Sequence, residues 1–212
     1  MKLDSFYRFI TPEVRGCPTI TIDVAIVDAI RDFCQRTDAW RTTATLPLIA
    51  GMSNYEVDIP TKTDVVRILR VEAAGESLQN LGEHMHHNPF SPTWVSTHNT
   101  YTFSSTTDDP NTVYLTSAPA QRVTNGLVIE ASLKPQFNNT SVDDALFDRW
   151  YEPIVMKAKH ILFMQPGTSW NNPELSTYYF HLYNRSTAQA QTEARREYAF
   201  KDLANPEINP IW

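Results

Sequence analysis

The feature that most constrains this chain is a change of hydrophobic period, which occurs twice. Between residues 42 and 135 the apolar residues fall in short alternating runs separated by prolines and glycines, a pattern typical of strands joined by turns. On both sides of this stretch the apolar residues return to spacings of three and four, which is typical of amphipathic helices. The pattern predicts six or so short antiparallel strands, forming a small sandwich or barrel inserted between helices.

The chain is therefore predicted to be an α+β protein in three parts. Residues 1–41 and 136–200 are expected to form a discontinuous helical bundle domain with about three main helices. Residues 42–135 are expected to form the inserted antiparallel β domain, which is sandwich- or barrel-like. Residues 201–212 are expected to form an extended C-terminal tail, because two prolines forbid a continuous helix there.

The sequence indicates where the first two main helices begin and where the second is interrupted. The first is predicted to run from about Ile22 to Asp38, with one apolar and one polar face. The second is predicted to begin at Ser141, because Asp144 follows it three residues later in an arrangement that resembles a capping box. Pro153 lies inside the second pattern and should kink the helix or divide it in two.

The third main helix is predicted to begin with Asn172 as its cap and Pro173 at its first position, and to reach about Tyr198. Small residues dominate its second half, where Ala190 and Ala194 continue the apolar residues at helical spacing. A stripe of small residues suits close approach to another helix, which a neighbouring copy could supply. A solvated helix end is the alternative interpretation of the same stripe.

The charge of the chain argues against tight binding of nucleic acid as its function. The formal net charge is −6, whereas proteins that hold DNA by its phosphates usually carry a basic surplus. The densest basic group, around Arg195 and Arg196, is interrupted by acidic residues. A surface past which DNA slides remains compatible with this charge, because mild repulsion keeps a polyanion from sticking.

The expected compartment is reducing and cytosol-like. No stretch approaches the roughly 18 uninterrupted apolar residues that a membrane span requires, so no membrane partner is predicted. Charged residues interrupt the N-terminal segment, which therefore lacks the apolar core of a secretory signal. Cys17 and Cys34 are expected to be free thiols, and Cys34 falls on the apolar side of the first helix.

His84, His86 and His87 form the only cluster in the sequence that resembles a metal site. In an extended strand His84 and His86 would share a face, but no cysteine lies nearby and Glu83 is the only adjacent carboxylate. A polar loop between strands explains the cluster better, because the further ligands are missing. No bound metal and no cofactor is predicted.

The sequence carries no catalytic signature, and we predict that the chain is not an enzyme. It lacks a GxSxG motif, a glycine-rich phosphate loop and an HExxH motif. The acid pairs Asp108-Asp109 and Asp143-Asp144 have structural explanations, a turn and a helix N-terminus respectively. The tryptophans fall at the ends or the kink of predicted elements and are interpreted as core or interface residues: Trp40, Trp94, Trp150, Trp170 and Trp212.

Several segments, in order, resemble one protein family. The first helix ends in FCQRTDAW, Phe33 to Trp40; then come DDPNTVYLTSAP, Asp108 to Pro119, and the long stretch from GLVIEASLKPQF to SWNNPEL, Gly126 to Leu175. The series resembles the head-to-tail adaptor proteins of tailed bacteriophages, relatives of the tubular tail A group. The resemblance covers most of residues 20 to 195. The chain departs from the family pattern at Lys157-Ala158-Lys159, where a Gly-Ala pair is expected.

The resemblance implies a structural protein of the virion neck or tail, assembled in the host cytoplasm. It implies a homo-oligomeric ring of twelve copies beneath the portal protein, with a tail or nozzle protein on the other side. The helices would surround the channel, through which genomic DNA passes without specific binding, and the β-region would face outward or toward the tail. The C-terminal segment would dock into the portal or an adjacent subunit through four apolar residues: Leu203, Ile208, Ile211 and Trp212.

Two other functions compete with assembly. A carbohydrate- or receptor-binding tail module would use the β-region and its tryptophans to engage sugar. A metal-assisted hydrolase would be centred on the histidine cluster. The long flanking helices and the apolar tail favour assembly, because neither is needed by a lectin.

Overall fold

The computed structural model describes residues 1–80, 102–104 and 110–203. The chain divides into two compact units. Residues 41–134 form a β unit, and residues 1–40 together with the chain from residue 135 onward form a helical unit. The fold is of the predicted α+β class, and none of its described helices is long and apolar enough to cross a membrane.

Four α-helices and one 3-10 turn make up the described part of the helical unit. The turn Leu3–Phe6 leads into the helices, which are α1 (Tyr7–Ile10), α2 (Thr19–Thr37), α3 (Asp144–Phe163) and α4 (Pro173–Leu203). Helix α2 begins three residues before the predicted Ile22, because the carbonyl of Pro18 accepts hydrogen bonds from the N–H groups of Thr21 and Ile22. It ends as Asp38 turns into the left-handed conformation, with φ of 53°.

Helix α3 is capped by a different residue from the one predicted. The Asp143 carboxylate accepts hydrogen bonds from the N–H groups of Ala145 and Leu146, at 2.8 and 3.3 Å. The prediction of a capping box at Ser141 was wrong, because the Ser141 N–H bonds the side chain of Asn139 instead. The predicted kink is confirmed.

The kink in α3 lies one turn before its proline. Trp150 has non-helical φ and ψ of −128° and 19°, three residues ahead of Pro153. Proline removes one helical hydrogen bond and its ring collides with the preceding turn, so the distortion falls where that collision occurs.

Helix α4 has 31 residues and is therefore about 46 Å long. It begins at Pro173 as predicted, and the Asn172 side chain accepts a hydrogen bond from the Leu175 N–H at 3.1 Å. Residues 201–203 are helical, so the prediction of an extended tail from residue 201 was wrong for its first three residues. The described helix ends at Leu203, before Pro206, so the proline removes none of its hydrogen bonds.

The described β unit contains eight strands in two sheets. One sheet has the order β1-β8-β3-β4 and the other β2-β7-β6-β5. The strands are β1 (Arg41–Leu48), β2 (Asn54–Glu56), β3 (Thr63–Ala73), β4 (Glu76–Ser77), β5 (Gln79–Asn80), β6 (Thr102–Ser104), β7 (Thr112–Leu115) and β8 (Val123–Pro135).

The described strands form two sheets and no closed barrel, so the barrel alternative of the prediction is excluded for them. One detail of the pairing differs from the prediction. Strand β5 pairs with β6 in parallel, whereas an all-antiparallel arrangement was expected. A parallel pair needs a long crossover rather than a hairpin, and residues 81–101 provide that length between the two strands. The register of β1 on β8 shifts between Leu46 and Leu48, where Pro47 has no N–H to donate.

Both cysteines are free thiols, as predicted. Cys34 is fully buried on α2, and burial raises the pKa of its thiol, with the nearby charge of Asp38 adding to the effect. A buried neutral thiol behaves as a small apolar side chain.

Candidate assembly surface

The interior of the helical unit is a single apolar core to which every helix contributes. Phe6 meets Phe147 edge-on, with ring centroids 4.9 Å apart, and Phe33 of α2 lies 5.7 Å from the kink residue Trp150. Three tryptophans pack against this core, as predicted for them: Trp40, Trp150 and Trp170. Trp94 and Trp212 lie outside the described residues.

A polar cross-link joins three helices inside the unit. The hydroxyl of Tyr183 on α4, whose side chain is 0% exposed, donates a 2.6 Å hydrogen bond to Asp32 on α2. Lys157 on α3 lies 3.7 Å from the same carboxylate and 5.2 Å from the Tyr183 ring centroid. Burial raises the pKa of Tyr183, and the hydrogen bond to Asp32 raises it further. The phenol therefore stays neutral and holds the three helices together.

A second cross-link ties α3 and α4 to the segment between α1 and α2. Lys159 is only 7% exposed and donates a 2.6 Å hydrogen bond to Glu13. The hydroxyl of Tyr179 donates to the same carboxylate at 2.7 Å, and the Lys159 ammonium lies 4.9 Å from the centroid of the Tyr179 ring. Ala158, between the two lysines, is fully buried. The Lys-Ala-Lys stretch thus packs tightly, with its lysines forming cross-links on either side.

A serine–histidine contact joins α3 to α4. Nδ1 of His160 lies 2.8 Å from Oγ of Ser176, a distance also seen in nucleophile–base pairs. The Ser176 hydroxyl donates its proton to the backbone carbonyl of His160 at 2.9 Å, so Nδ1 is the donor in the contact between the two side chains. Burial lowers the pKa of His160 and Lys157 lowers it further, although the hydrogen bond that Nδ1 donates to the Ser176 backbone carbonyl opposes both. This arrangement binds helix to helix.

The described residues contain no group of three histidine, cysteine, aspartate or glutamate side chains that could hold a metal ion. His84, His86 and His87 lie outside the described residues, so the interpretation of that cluster stays a prediction. The same holds for the acid pair Asp108-Asp109. The other pair, Asp143-Asp144, stands at the N-terminus of α3, as predicted.

Exposed apolar side chains gather at one end of the helical unit, where α2 and α4 begin and α3 ends. The loops at this end lie close together, because a Cβ on Gly16 would lie 4.0 Å from the Ser169 hydroxyl. We call these side chains the loop-end patch: Ile20, Val24, Met164, Leu175 and Tyr178, with exposed fractions from 39% to 69%. Several exposed apolar side chains at one end of the unit make that end a candidate surface for association.

A family model described as SU10 adaptor protein matches residues 10–205. The chain belongs to the SU10 adaptor protein family. This family comprises structural head-to-tail adaptors of phages, which are components of the virion neck. The match runs through both units of the fold. A comparison with curated proteins finds no match.

The adaptor's expected partner-binding residues lie at and beyond the end of α4. Leu203 is the last residue of the helix, whereas Ile208, Ile211 and Trp212 lie outside the described residues. The end of α4 and the loop-end patch are at opposite ends of a helix about 46 Å long. Sequence periodicity did not single out the loop-end patch, because a residue near a helix end can point outward while keeping its place in the pattern.

The small residues of α4 serve this adaptor internally. Ala190 is 1% exposed and lies within the subunit's own core. The helix that approaches the stripe at Ala190 therefore comes from the same chain, and the stripe is not solvated at this position. The side of α4 available to a neighbouring copy is the opposite one.

Proposed function

We propose that this chain forms a closed ring of twelve adaptor subunits that joins the portal to the tail of a tailed phage and surrounds the DNA channel. The observation that carries the proposal is the family match across residues 10–205, which includes both units. The copy number, the portal as neighbour and a kinship with the tubular tail A group come from the resemblance of the sequence. A contact repeated between different faces of identical subunits closes into a ring when its rotation permits.

The internal cross-links support a role as a rigid ring segment. A subunit under load in a neck must keep its helices in register. The Asp32–Tyr183 and Glu13–Lys159 contacts fix α2, α3 and α4 by hydrogen bonds that require one geometry. Directional contacts of this kind specify a single arrangement more strictly than apolar packing alone.

Each end of the helical unit has a surface suited to a different neighbour. The loop-end patch offers apolar side chains at one end, and α4 runs from there toward the C-terminal segment. In our proposal residues 205–212 dock into the portal or an adjacent subunit, and the loop-end patch faces the tail or nozzle protein.

A truncation tests the role of the C-terminal segment. Deletion after Ala204 should leave the melting temperature of the purified subunit unchanged, because the removed residues follow α4 and all four helices of the unit stay intact. Attachment in the neck should weaken, since each large apolar side chain contributes roughly 1.5–3 kcal/mol on burial before ordering costs. A full-length variant with Ile208, Ile211 and Trp212 changed to Ala is the matched control for length. Normal incorporation of both variants into particles would refute the docking.

The net charge of −6 supports a channel that conducts DNA without holding it. The charge of Glu193 on α4 is neutralised by Arg149 of α3, at 3.1 Å, and not only by the arginines of α4 itself. Local charge on the ring is thus set by pairs between helices as well as by composition.

Loss of the gene product tests the proposed function as a whole. Particles made without it should be DNA-filled heads with no tail attached, and supplying the chain in trans should restore tailed particles. Tailed, infectious particles that lack the chain would show that it does not join head to tail.

A further inference from the structure

An acidic stripe runs along the outer side of α3. Asp144, Asp148 and Glu152 recur every four residues, and all three are exposed. Asp148 forms no ion pair with any residue that the structure describes, and Asp144 lies against the amino group of Met1. The adjacent cation, Arg149, is already bound to Glu193. The stripe therefore presents carboxylates that the subunit itself compensates only in part.

The outer side of α4 is of opposite character. Arg185, Ala188, Thr192 and Arg196 recur at intervals of three and four residues, and all four are exposed. We call them the α4 outer face. The Thr192 hydroxyl donates a hydrogen bond to the Ala188 carbonyl at 2.9 Å, so its donor is already satisfied within the helix. Arg185 forms no ion pair within the described part of the chain. Small side chains between two arginines allow another helix to approach closely.

The acidic stripe and the last third of the α4 outer face lie at the same level along the direction of the helices. Within one subunit Arg149 of α3 meets Glu193 of α4, so the acidic stripe lies level with the last third of α4. Rotation about a ring axis changes no residue's height, so subunits whose helices run along that axis meet level with one another. The cation opposite a neighbour's Asp148 is then Arg196 rather than Arg185.

We infer that neighbouring subunits associate by packing the α4 outer face of one copy against the acidic stripe of α3 in the next. The inference rests on the proposed ring and names the faces that build it. The two faces differ, as a head-to-tail contact in a ring requires, and their charges are complementary. The occupant of each surface is a second copy of this chain.

Charge reversal tests the pairing. Asp148→Arg alone and Arg196→Glu alone place like charges together, and each should reduce incorporation into particles at least fivefold relative to the wild type. The double variant restores opposite charges and should recover most of the loss. Glu56→Arg on β2 and Arg15→Glu, both exposed and outside the two surfaces, are the matched controls and should incorporate normally.

Cysteine cross-linking provides a second measurement, which does not depend on charge. In a Cys17→Ser background, Asp148→Cys combined with Arg196→Cys should give, on oxidation of particles, a ladder of covalent oligomers larger than dimers. Either cysteine alone should give no ladder. Dimers from Arg196→Cys alone would indicate that α4 packs against α4, which contradicts the inference.

The outcomes separate the interface from the function. Single reversals that incorporate normally, or a double variant no better than the singles at unchanged melting temperature, would overturn the proposed contact. If a charge reversal also lowers the melting temperature, the cross-linking result is the test of the contact. Particles that contain the double-cysteine variant but give no ladder of oligomers would overturn the proposed contact. If the wild-type chain is absent from the neck of the virion, the proposed function itself is refuted.

Discussion

The Glu13–Lys159 pair shows how the exposure of each partner decides what a single substitution costs. Lys159 has a side chain 9% exposed, whereas that of Glu13 is 39% exposed. Glu13→Gln keeps the shape but leaves a buried ammonium without its counter-charge, and should lower the free energy of unfolding by about 1–2 kcal/mol. Lys159→Met leaves a carboxylate that water reaches, and should cost less than about 1 kcal/mol. Urea unfolding compares the two, and the reverse ranking would contradict this account of the pair.

His160 should make the stability of the subunit depend on pH in mildly acidic solution. Its pKa is lowered chiefly by burial, so the unfolded chain takes up a proton at a higher pH than the folded one. The contribution of neutral His160 to the free energy of unfolding is then fully present above the ordinary histidine pKa of about 6.5, and it is lost as the pH falls below that value. The wild type should melt at a lower temperature at pH 5.5 than at pH 7.5.

Two variants isolate the contribution of His160. His160→Gln should narrow the difference in melting temperature between the two pH values, because the titrating group is gone. His181→Gln removes an exposed histidine of the same helix pair and should leave the difference as in the wild type. An unchanged difference in His160→Gln would mean that another group controls it.

At the scale of elements, the N-terminus of α3 offers a direct comparison between the predicted and the observed cap. Asp143→Ala removes the acceptor of two backbone N–H groups and should cost about 1 kcal/mol of stability. Ser141→Ala, at the position that the capping-box pattern favoured, should cost clearly less. Thermal unfolding of the two variants side by side measures the difference. Equal losses would mean that Asp143 is not the main cap.

The sequence predicted the elements better than their limits or partners. The helices and the Pro153 kink followed from periodicity and from the chemistry of proline, which are local. The parallel β5–β6 pair could not be predicted, because pairing depends on contacts that are distant along the chain. The pairing of Lys157 with Asp32 was hidden for the same reason, since these residues are 125 positions apart in the sequence.

The surfaces available for assembly could also be predicted only in part, because they depend on how distant parts of the chain pack. Periodicity placed Ala190 on a stripe of small residues, and only the packed unit shows that it faces the subunit's own core. The alternation of exposed and buried positions on α4 then identifies the outer face as the side left for a partner.

At the scale of the whole molecule, the helical unit is a segment with differing surfaces on its sides and at its ends. Internal polar contacts fix α2, α3 and α4, and the outer faces of α3 and α4 carry opposite charge. The loop-end patch lies at the opposite end of the unit from the C-terminal end of α4. A subunit of this kind can close a ring through its sides while binding different partners above and below.

The most direct test is a reconstruction of the virion neck by averaged electron microscopy at a resolution that shows helices. We expect a closed ring of twelve copies of this chain immediately beneath the portal, with α3 of each subunit beside α4 of the next. A ring in that position built from a different protein would contradict the central claim.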